Sequence, residues 1–214
     1  MFTKDIKAII FDFDGTIVDS NSIKEAAFYE IFLKFGEKVA LIGSNYHKIN
    51  PGVNRLEKFR YIINNFTDLA YNDDLGQELS NDFSKIVLKN MKESKYINYA
   101  EEFLRKFHNV CMFFISSAMP ESELVEITKD KGIYELFYEM KGYPTSKSDY
   151  IGEVIRSFNF KSEEVIFVGD AQSDYDAAYM NSINFICIGN SGIKGSIFEQ
   201  INNYNELEKI LGWS

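Results

Sequence analysis

The sequence predicts an α/β protein: a doubly wound parallel sheet with helices on both faces and an all-helical module inserted after the first strand. Three observations predict it. Short runs, apolar almost throughout, recur at residues 6–13, 109–116, 137–140, 164–170 and 184–190, and such continuity marks strands buried on both faces. From residue 109 onward these runs alternate with amphipathic segments, the pattern of successive βαβ units. Between the first two runs lie about 75 residues with helical periodicity and no convincing strand, too many for a connecting loop.

Each element has its own local warrant. "IKAIIFDF" (6–13) ends on two aspartates and closes with Gly-Thr, a strand followed by a tight turn. In the inserted module, "SIKEAAFYEIFLKF" (22–35) opens with a Ser22 to Glu25 capping box and stops at Gly36. Residues 51–66 and 73–94 continue the helical period. "NYAEEFLRKF" (98–107) returns the chain to the sheet at "NVCMFFIS" (109–116). A helix then begins with Pro120 at its first position, where a missing N–H costs nothing. After the weaker strand "FYEM" (137–140), "SKSDYIGEVIRSF" carries a capping signature in Ser146 and Asp149. "EVIFVGD" (164–170), the helix "SDYDAAYMNS" and "NFICIGN" (184–190) complete the alternation. The domains expected are a core of residues 1–19 and 95–214 and a helical module of residues 20–94. Asp19 and Ser20 mark the passage between them.

Composition narrows the functions available. The 214 residues are 45% hydrophobic and 15% aromatic, enough for a packed interior. A formal net charge of −9, with no basic run to break it, repels phosphate backbones and disfavours a nucleic-acid partner. A small anionic substrate remains possible where a local cation overcomes that field. Cys111 and Cys187 each sit in an apolar run and read as buried free thiols. No run reaches the roughly 18 apolar residues of a membrane span, and the first strand follows Met1 too closely for a secretory leader. These features point to no membrane and a reducing, cytoplasmic setting.

The chemistry collects at the carboxyl ends of the strands, where ligands bind in such sheets. A turn needs only one Asp beside Gly15, so Asp12 is left without a structural job. The first strand brings Asp12 and Asp14, the second Ser116 with Ser117, the loop before the next helix Lys147, and the fourth strand Asp170 with Asp174 in "GDAQSD". Four carboxylates converging on one edge repel unless a hard divalent cation joins them, and oxygen ligands suit Mg²⁺. Ser116 with "SAMPE" offers a hydroxyl and backbone donors at a helix start, suited to phosphate oxygens. Lys147 adds the positive charge that a phosphoryl group requires. Singly, each residue has an ordinary explanation as a turn former, cap or surface charge. Together and in this order, they favour a site.

That order resembles the haloacid dehalogenase superfamily, in particular its phosphoglycolate-phosphatase-like branch with a helical C1-type cap inserted after the first motif. The four motifs are matched by "DFDGT", by "FFISS" with Ser116, by Lys147 in "TSKSD" and by "GDAQSD", over about residues 6 to 190. The resemblance implies a Rossmann-like core and a cap domain, and a Mg²⁺-dependent phosphatase acting on a small soluble phosphomonoester, a sugar phosphate or phosphoglycolate-like metabolite. By the same resemblance Asp12 is the nucleophile that forms an aspartyl-phosphate, and Asp14 is the general acid and base. Asp12, Asp170 and the backbone carbonyl of Asp14 hold Mg²⁺, and Asp174 orients ligands from behind. Lys147 pairs with Asp12 and the transferring phosphoryl group, Ser116 holds a phosphate oxygen, and Gly15, Thr16 and Ser117 line the substrate.

Specificity is expected in the cap, where His47, Arg55, Lys58 and Arg60 stand close together in an otherwise acidic chain. Arg55 and Lys58, three apart, are expected on one helix face, and Arg55 follows the "NPGVN" turn at the mouth of the cap. The alternative within the superfamily is a sugar phosphomutase, but those mutases tend to carry an acidic residue where this chain has Gly169. A dehalogenase would not need Asp14. A receiver-type phospho-accepting domain would lack the large insertion and "GDAQSD". The partner expected is a small phosphorylated metabolite, bound by a monomer or homodimer.

Overall fold

The computed structural model describes residues 5–50, 53–189, 192–195 and 198–213. Six parallel strands form one sheet: β1 (Ala8–Phe11), β2 (Met112–Pro120), β3 (Glu139–Tyr143), β4 (Val165–Gly169), β5 (Asn184–Ile188) and β6 (Glu199–Ile201), in the order β3-β2-β1-β4-β5-β6. The helices are α1 (Asn21–Phe32), α2 (Glu37–Ile49), α3 (Arg55–Phe66), α4 (Asp73–Met91), α5 (Ala100–Phe107), α6 (Glu121–Asp130), α7 (Lys147–Phe158), α8 (Gln172–Met180) and α9 (Tyr204–Leu211). The chain divides into two compact units, Met1–Asp19 with Lys95–Ser214, and Ser20–Ser94.

In the sheet-bearing unit, Ala8 and Ile10 of β1 pack with Tyr150, Ile151 and Val154 of α7 and Ala177 and Ala178 of α8. Phe11, pointing the other way, meets Phe113 at 5.1 Å and Phe103 of α5 at 6.4 Å, and Tyr204 of α9 lies tilted beside Phe103 at 5.4 Å. All four residues of β1 are fully buried because β1 has a strand on either side and a helical layer on either face. The chain winds outward from β1 to β2 and β3, then crosses back to β4 on its other flank. That reversal opens a crevice outside the carboxyl ends of β1, β2 and β4, where the chemistry-bearing residues are carried.

The second unit is four helices around an aromatic core. Phe28 of α1 lies 5.1 Å from Phe83 of α4 and 5.5 Å from Phe59 of α3. Asn54 and Asn72 cap α3 and α4 by accepting from the Leu56 and Leu75 N–H groups.

Several boundaries differ from those expected. The helix α1 begins at Asn21 behind Ser20, so Ser22 lies inside its first turn and the Ser22–Glu25 box does not form. It ends at Phe32, and a short 3-10 turn over Leu33–Phe35 leads to Gly36. The helix α2 is unanticipated: the residues it buries, Val39, Ala40 and Gly43, fall at helical spacing, but two of the three are small and add little apolar signal. Of the expected helix over 51–66, residues 51 and 52 lie outside those described, and α3 starts at Arg55. The strand β2 runs on to Pro120, which caps α6 instead of opening it. The edge strand β3 sits further along than "FYEM", and the three-residue β6 and α9 were not anticipated. Cys187 is buried and Cys111 half-buried just before β2; neither forms a disulfide among the described residues.

Candidate active site

Asp12 follows the last residue of β1, and its N–H donates to the Val168 carbonyl at 2.9 Å, which anchors it to β4. A continuing strand would set Asp14, two residues on, on the same face as Asp12 but farther along, and the strand stops before it gets there. The Phe13 carbonyl accepts from both Ile17 N–H (2.9 Å) and Val18 N–H (3.1 Å), so residues 13–18 wind into one tight turn. Gly15 takes φ +74°, which a side chain would resist, and closes the turn by donating to the Val18 carbonyl at 2.8 Å. Buried Phe13, Ile17 and Val18 pin the turn. The Asp14 charge helps to raise the pKa of both Asp12 and Asp170, so it acts within the same cluster.

The remaining members arrive from two other loops. Lys147 is the first residue of α7, behind Ser146, whose hydroxyl accepts from Asp149 N–H. Its ammonium donates to Asp12 Oδ1 at 2.7 Å and to Asp174 Oδ1 at 2.5 Å. Asp174 is 0% exposed. Its other oxygen accepts from the Asp170 and Ala171 N–H groups at 3.1 and 3.0 Å, so it caps the start of α8 while it holds Lys147. Gly169 makes this possible: a Cβ there would lie 2.4 Å from Asp174 Oδ2. Sequence reading missed that requirement, although the five-residue spacing from Gly169 to Asp174 was its signal.

Electrostatically the cluster is acidic and only partly neutralised. Burial pushes the Asp12 carboxyl well above the usual range, Lys147 opposes the rise, and Asp174, Asp170 and Asp14 add to it. Burial and the Asp174 charge likewise raise Asp170 to about 7, against the pull of Lys147. Burial works against the charge of Lys147, yet Asp12 and Asp174 outweigh it and hold the ammonium above the ordinary lysine range. One cation among four carboxylates leaves the site short of positive charge.

Those facts fit a divalent cation. Among the described residues, one oxygen each from Asp12, Asp170 and Asp174 lie within 4.8 Å of one another, an all-oxygen donor set of the kind hard ions take. The three donors are not equivalent. Asp174 spends one oxygen on two N–H groups and the other on Lys147, whereas the Asp170 carboxylate is met by its own backbone N–H and by no side-chain donor among the described residues. Asp12 and Asp170 are thus the side chains best placed to hold Mg²⁺, with Asp174 behind them.

The structure places the other candidates variously. Phe11 pairs with Ile115, so Ser116 stands level with Asp12 on the neighbouring strand, buried. It does not sit at a helix start, since α6 begins at Glu121. The Ser117 hydroxyl accepts from Met119 N–H at 3.2 Å. The Thr16 hydroxyl is buried with no partner among the described residues. In the helical unit, Lys58 is 2% exposed, with Nζ 3.0 Å from His47 Nδ1, and His47 stacks on Phe28 at 4.4 Å. Arg55 turns instead to α4, donating to Ser84 Oγ at 2.9 Å over the Phe83 ring. Arg55 and Lys58 thus lie over neighbouring rings of one aromatic cluster, Phe83 and Phe28, 5.1 Å apart, while their polar ends meet different partners. Arg60 lies over Tyr71.

Comparison with known proteins agrees with the fold. Residues 9–188 match the model of the haloacid dehalogenase-like hydrolases. No curated protein matches the chain. Solved structures similar in fold include a predicted phosphoglycolate phosphatase from Haemophilus somnus (17% identity, TM-score 0.78, covering 97% of this chain and 99% of that one). A predicted phosphatase from Clostridium acetobutylicum is similar at 18% identity and TM-score 0.77, over 99% of this chain and 100% of that one. The magnesium-bound HAD-hydrolase YfnB from Bacillus subtilis is 15% identical with TM-score 0.74, over 98% of this chain and 100% of that one. With its family model spanning β1 through β5, the chain belongs to the haloacid dehalogenase-like hydrolases.

Proposed function

We propose that the protein is a Mg²⁺-dependent phosphatase that hydrolyses a small soluble phosphomonoester, a sugar phosphate or phosphoglycolate-like compound, in the cytoplasm. The observation that carries the reading is the Lys147 ammonium held between Asp12 and Asp174, beside the open carboxylate of Asp170. A buried carboxylate in contact with a fixed cation suits a nucleophile, because the cation opposes the protonation that burial and the neighbouring carboxylates favour. Asp12 attacks phosphorus in line: its oxygen bonds to phosphorus as the ester bond breaks, and Asp14 gives its proton to the departing oxygen. Asp14 then takes a proton from water, which attacks the aspartyl-phosphate and returns Asp12. Lys147 and Ser116 hold the phosphoryl oxygens, and Gly15, Thr16 and Ser117 line the pocket around them. When bound by Asp12, Asp170 and the Asp14 carbonyl, Mg²⁺ supplies further positive charge for those oxygens. Arg55, Lys58 and His47 belong to the helical unit and, on this reading, select the leaving group.

The phosphomutase alternative is weakened by Gly169. An acidic side chain there would occupy the space of the Asp174 carboxylate, so the two arrangements exclude each other. The test is a screen of phosphate release from small phosphomonoesters with Mg²⁺ and with chelator, run beside Asp12→Asn. Mg²⁺-dependent release that Asp12→Asn abolishes, in a protein that still folds, is expected. Wild-type turnover by Asp12→Asn would refute the mechanism.

A further inference from the structure

Asp14 stands on a turn, not on a strand, and a general acid needs its proton within a hydrogen bond of the departing oxygen. The end of that turn is tied from outside by an antiparallel bridge of Val18 to Tyr96, and its middle by a residue far along the chain. Tyr204, the first residue of α9, is 0% exposed, and its hydroxyl donates to the Thr16 carbonyl at 3.1 Å, across 188 positions of sequence. The Thr16 hydroxyl has no partner among the described residues, so its side chain does not share in this hold. The Tyr204 backbone N–H donates to the Asn98 carbonyl at 3.2 Å, and the adjoining Ile97 N–H donates to Ile17 at 2.9 Å. One residue thus grips the segment that leaves β1 and the segment that returns toward α5. Its ring is wedged beside Phe103 and Phe11, so the hydroxyl has no freedom to follow a moving carbonyl. Burial, with the charges of Asp12 and Asp170, also keeps that hydroxyl protonated, so it remains a donor across the working pH range.

We propose that Tyr204 is a positioning residue for the reaction: by holding the Thr16 carbonyl it fixes the turn that presents Asp14 to the leaving-group oxygen. The inference rests on the phosphatase reading and adds to it a residue that no motif contains. It makes a specific kinetic demand. Protonation by Asp14 matters for an alkoxide leaving group and hardly at all for a strongly acidic phenol, which departs without a proton. A loosened turn therefore penalises the first kind of ester and spares the second.

The experiment compares Tyr204→Phe with wild type on a series of phosphate monoesters from dinitrophenyl to simple alkyl phosphate, reading kcat/KM, which covers the steps through ester cleavage. Phe keeps the ring in its packing and removes only the donor. The expected result is a fall of at least about tenfold on the alkyl ester and less than about twofold on the dinitrophenyl ester, a steeper dependence on leaving-group acidity. Amide hydrogen exchange at Ile17 and Val18, whose bonds to Phe13 close the turn, should quicken while exchange in β1 does not. An equal fall across the series, or unchanged exchange and kinetics, would overturn the proposal. Asp14→Asn separates the two readings: it should show the same dependence more strongly. If Asp14→Asn leaves the series flat, the phosphatase mechanism itself is wrong, whatever Tyr204→Phe does.

Discussion

Replacing Asp174 by alanine tests whether the cluster is also a structural keystone. The substitution removes the 2.5 Å bond to Lys147 and the acceptor for the Asp170 and Ala171 N–H groups, all in a position fully closed to solvent. Stripping one partner from a buried ion pair costs about 3 to 5 kcal/mol, because the remaining charge keeps its desolvation penalty. Loss of the helix cap adds roughly 1 kcal/mol. Lys147 still has Asp12 at 2.7 Å, and relief of the repulsion between Asp174 and Asp170 returns part of the cost. We expect a net loss of about 3 kcal/mol, or roughly 6 to 12 °C in Tm for a chain of this size. The assay is thermal and denaturant unfolding in chelator, so that metal binding does not contribute. Asp174→Asn should recover the cap but not the ion pair, and so fall between. A loss under about 1 kcal/mol for Asp174→Ala would mean that Lys147 is hydrated and the bridge is not formed.

Two further outcomes follow from the same geometry. Calorimetric Mg²⁺ titration should show a far larger loss for Asp170→Ala than for Asp174→Ala, and wild-type affinity should weaken as pH falls through about 7, where Asp170 regains its proton; equal losses would mean that Asp174 is a direct ligand. Gly169→Ala should lower both Tm and activity by displacing Asp174 from Lys147, and a variant indistinguishable from wild type would show that the 2.4 Å approach is easily relieved.

Much of the core was legible because its signals are local. The continuous apolar runs marked β1, β2, β4 and β5, and turn chemistry marked their carboxyl ends, so Asp12, Asp170 and Lys147 could be assigned to one edge before any coordinates. What failed was whatever depends on a distant partner. The helix α2 buries Val39, Ala40 and Gly43 at helical spacing, but two of the three are small and add little apolar signal. Pro120 reads as a helix start, yet the strand pairs as far as Pro120 opposite Tyr143 and makes it a cap instead. Arg55 and Lys58 have the spacing of one helix face and lie over adjacent rings, Phe83 and Phe28, but their polar ends diverge, to Ser84 and to His47. Spacing gives the direction of a side chain only to within the reach of a long flexible stem, and neighbours decide the rest.

The division of labour within the site follows from the same physics. Asp12 must hold one position against repulsion from three carboxylates, and the structure puts it at the end of a strand with no exposed atom, tied to β4 through its own N–H. Asp14 must reach the departing oxygen and then a water. A continuing strand would leave it on the same face as Asp12 but fixed roughly 6 to 7 Å farther along. A turn supplies that reach instead, at the cost of backbone that no ladder holds. The bond from Tyr204 to Thr16 is the form that restraint takes here: a rigid aromatic donor, lodged in the apolar layer beneath the sheet, that fixes the carbonyl two residues from the acid. A site divided in this way tolerates change unevenly. Substitutions along β1 should act through packing and stability, whereas those that touch the turn should act on the proton and appear first with the poorest leaving groups.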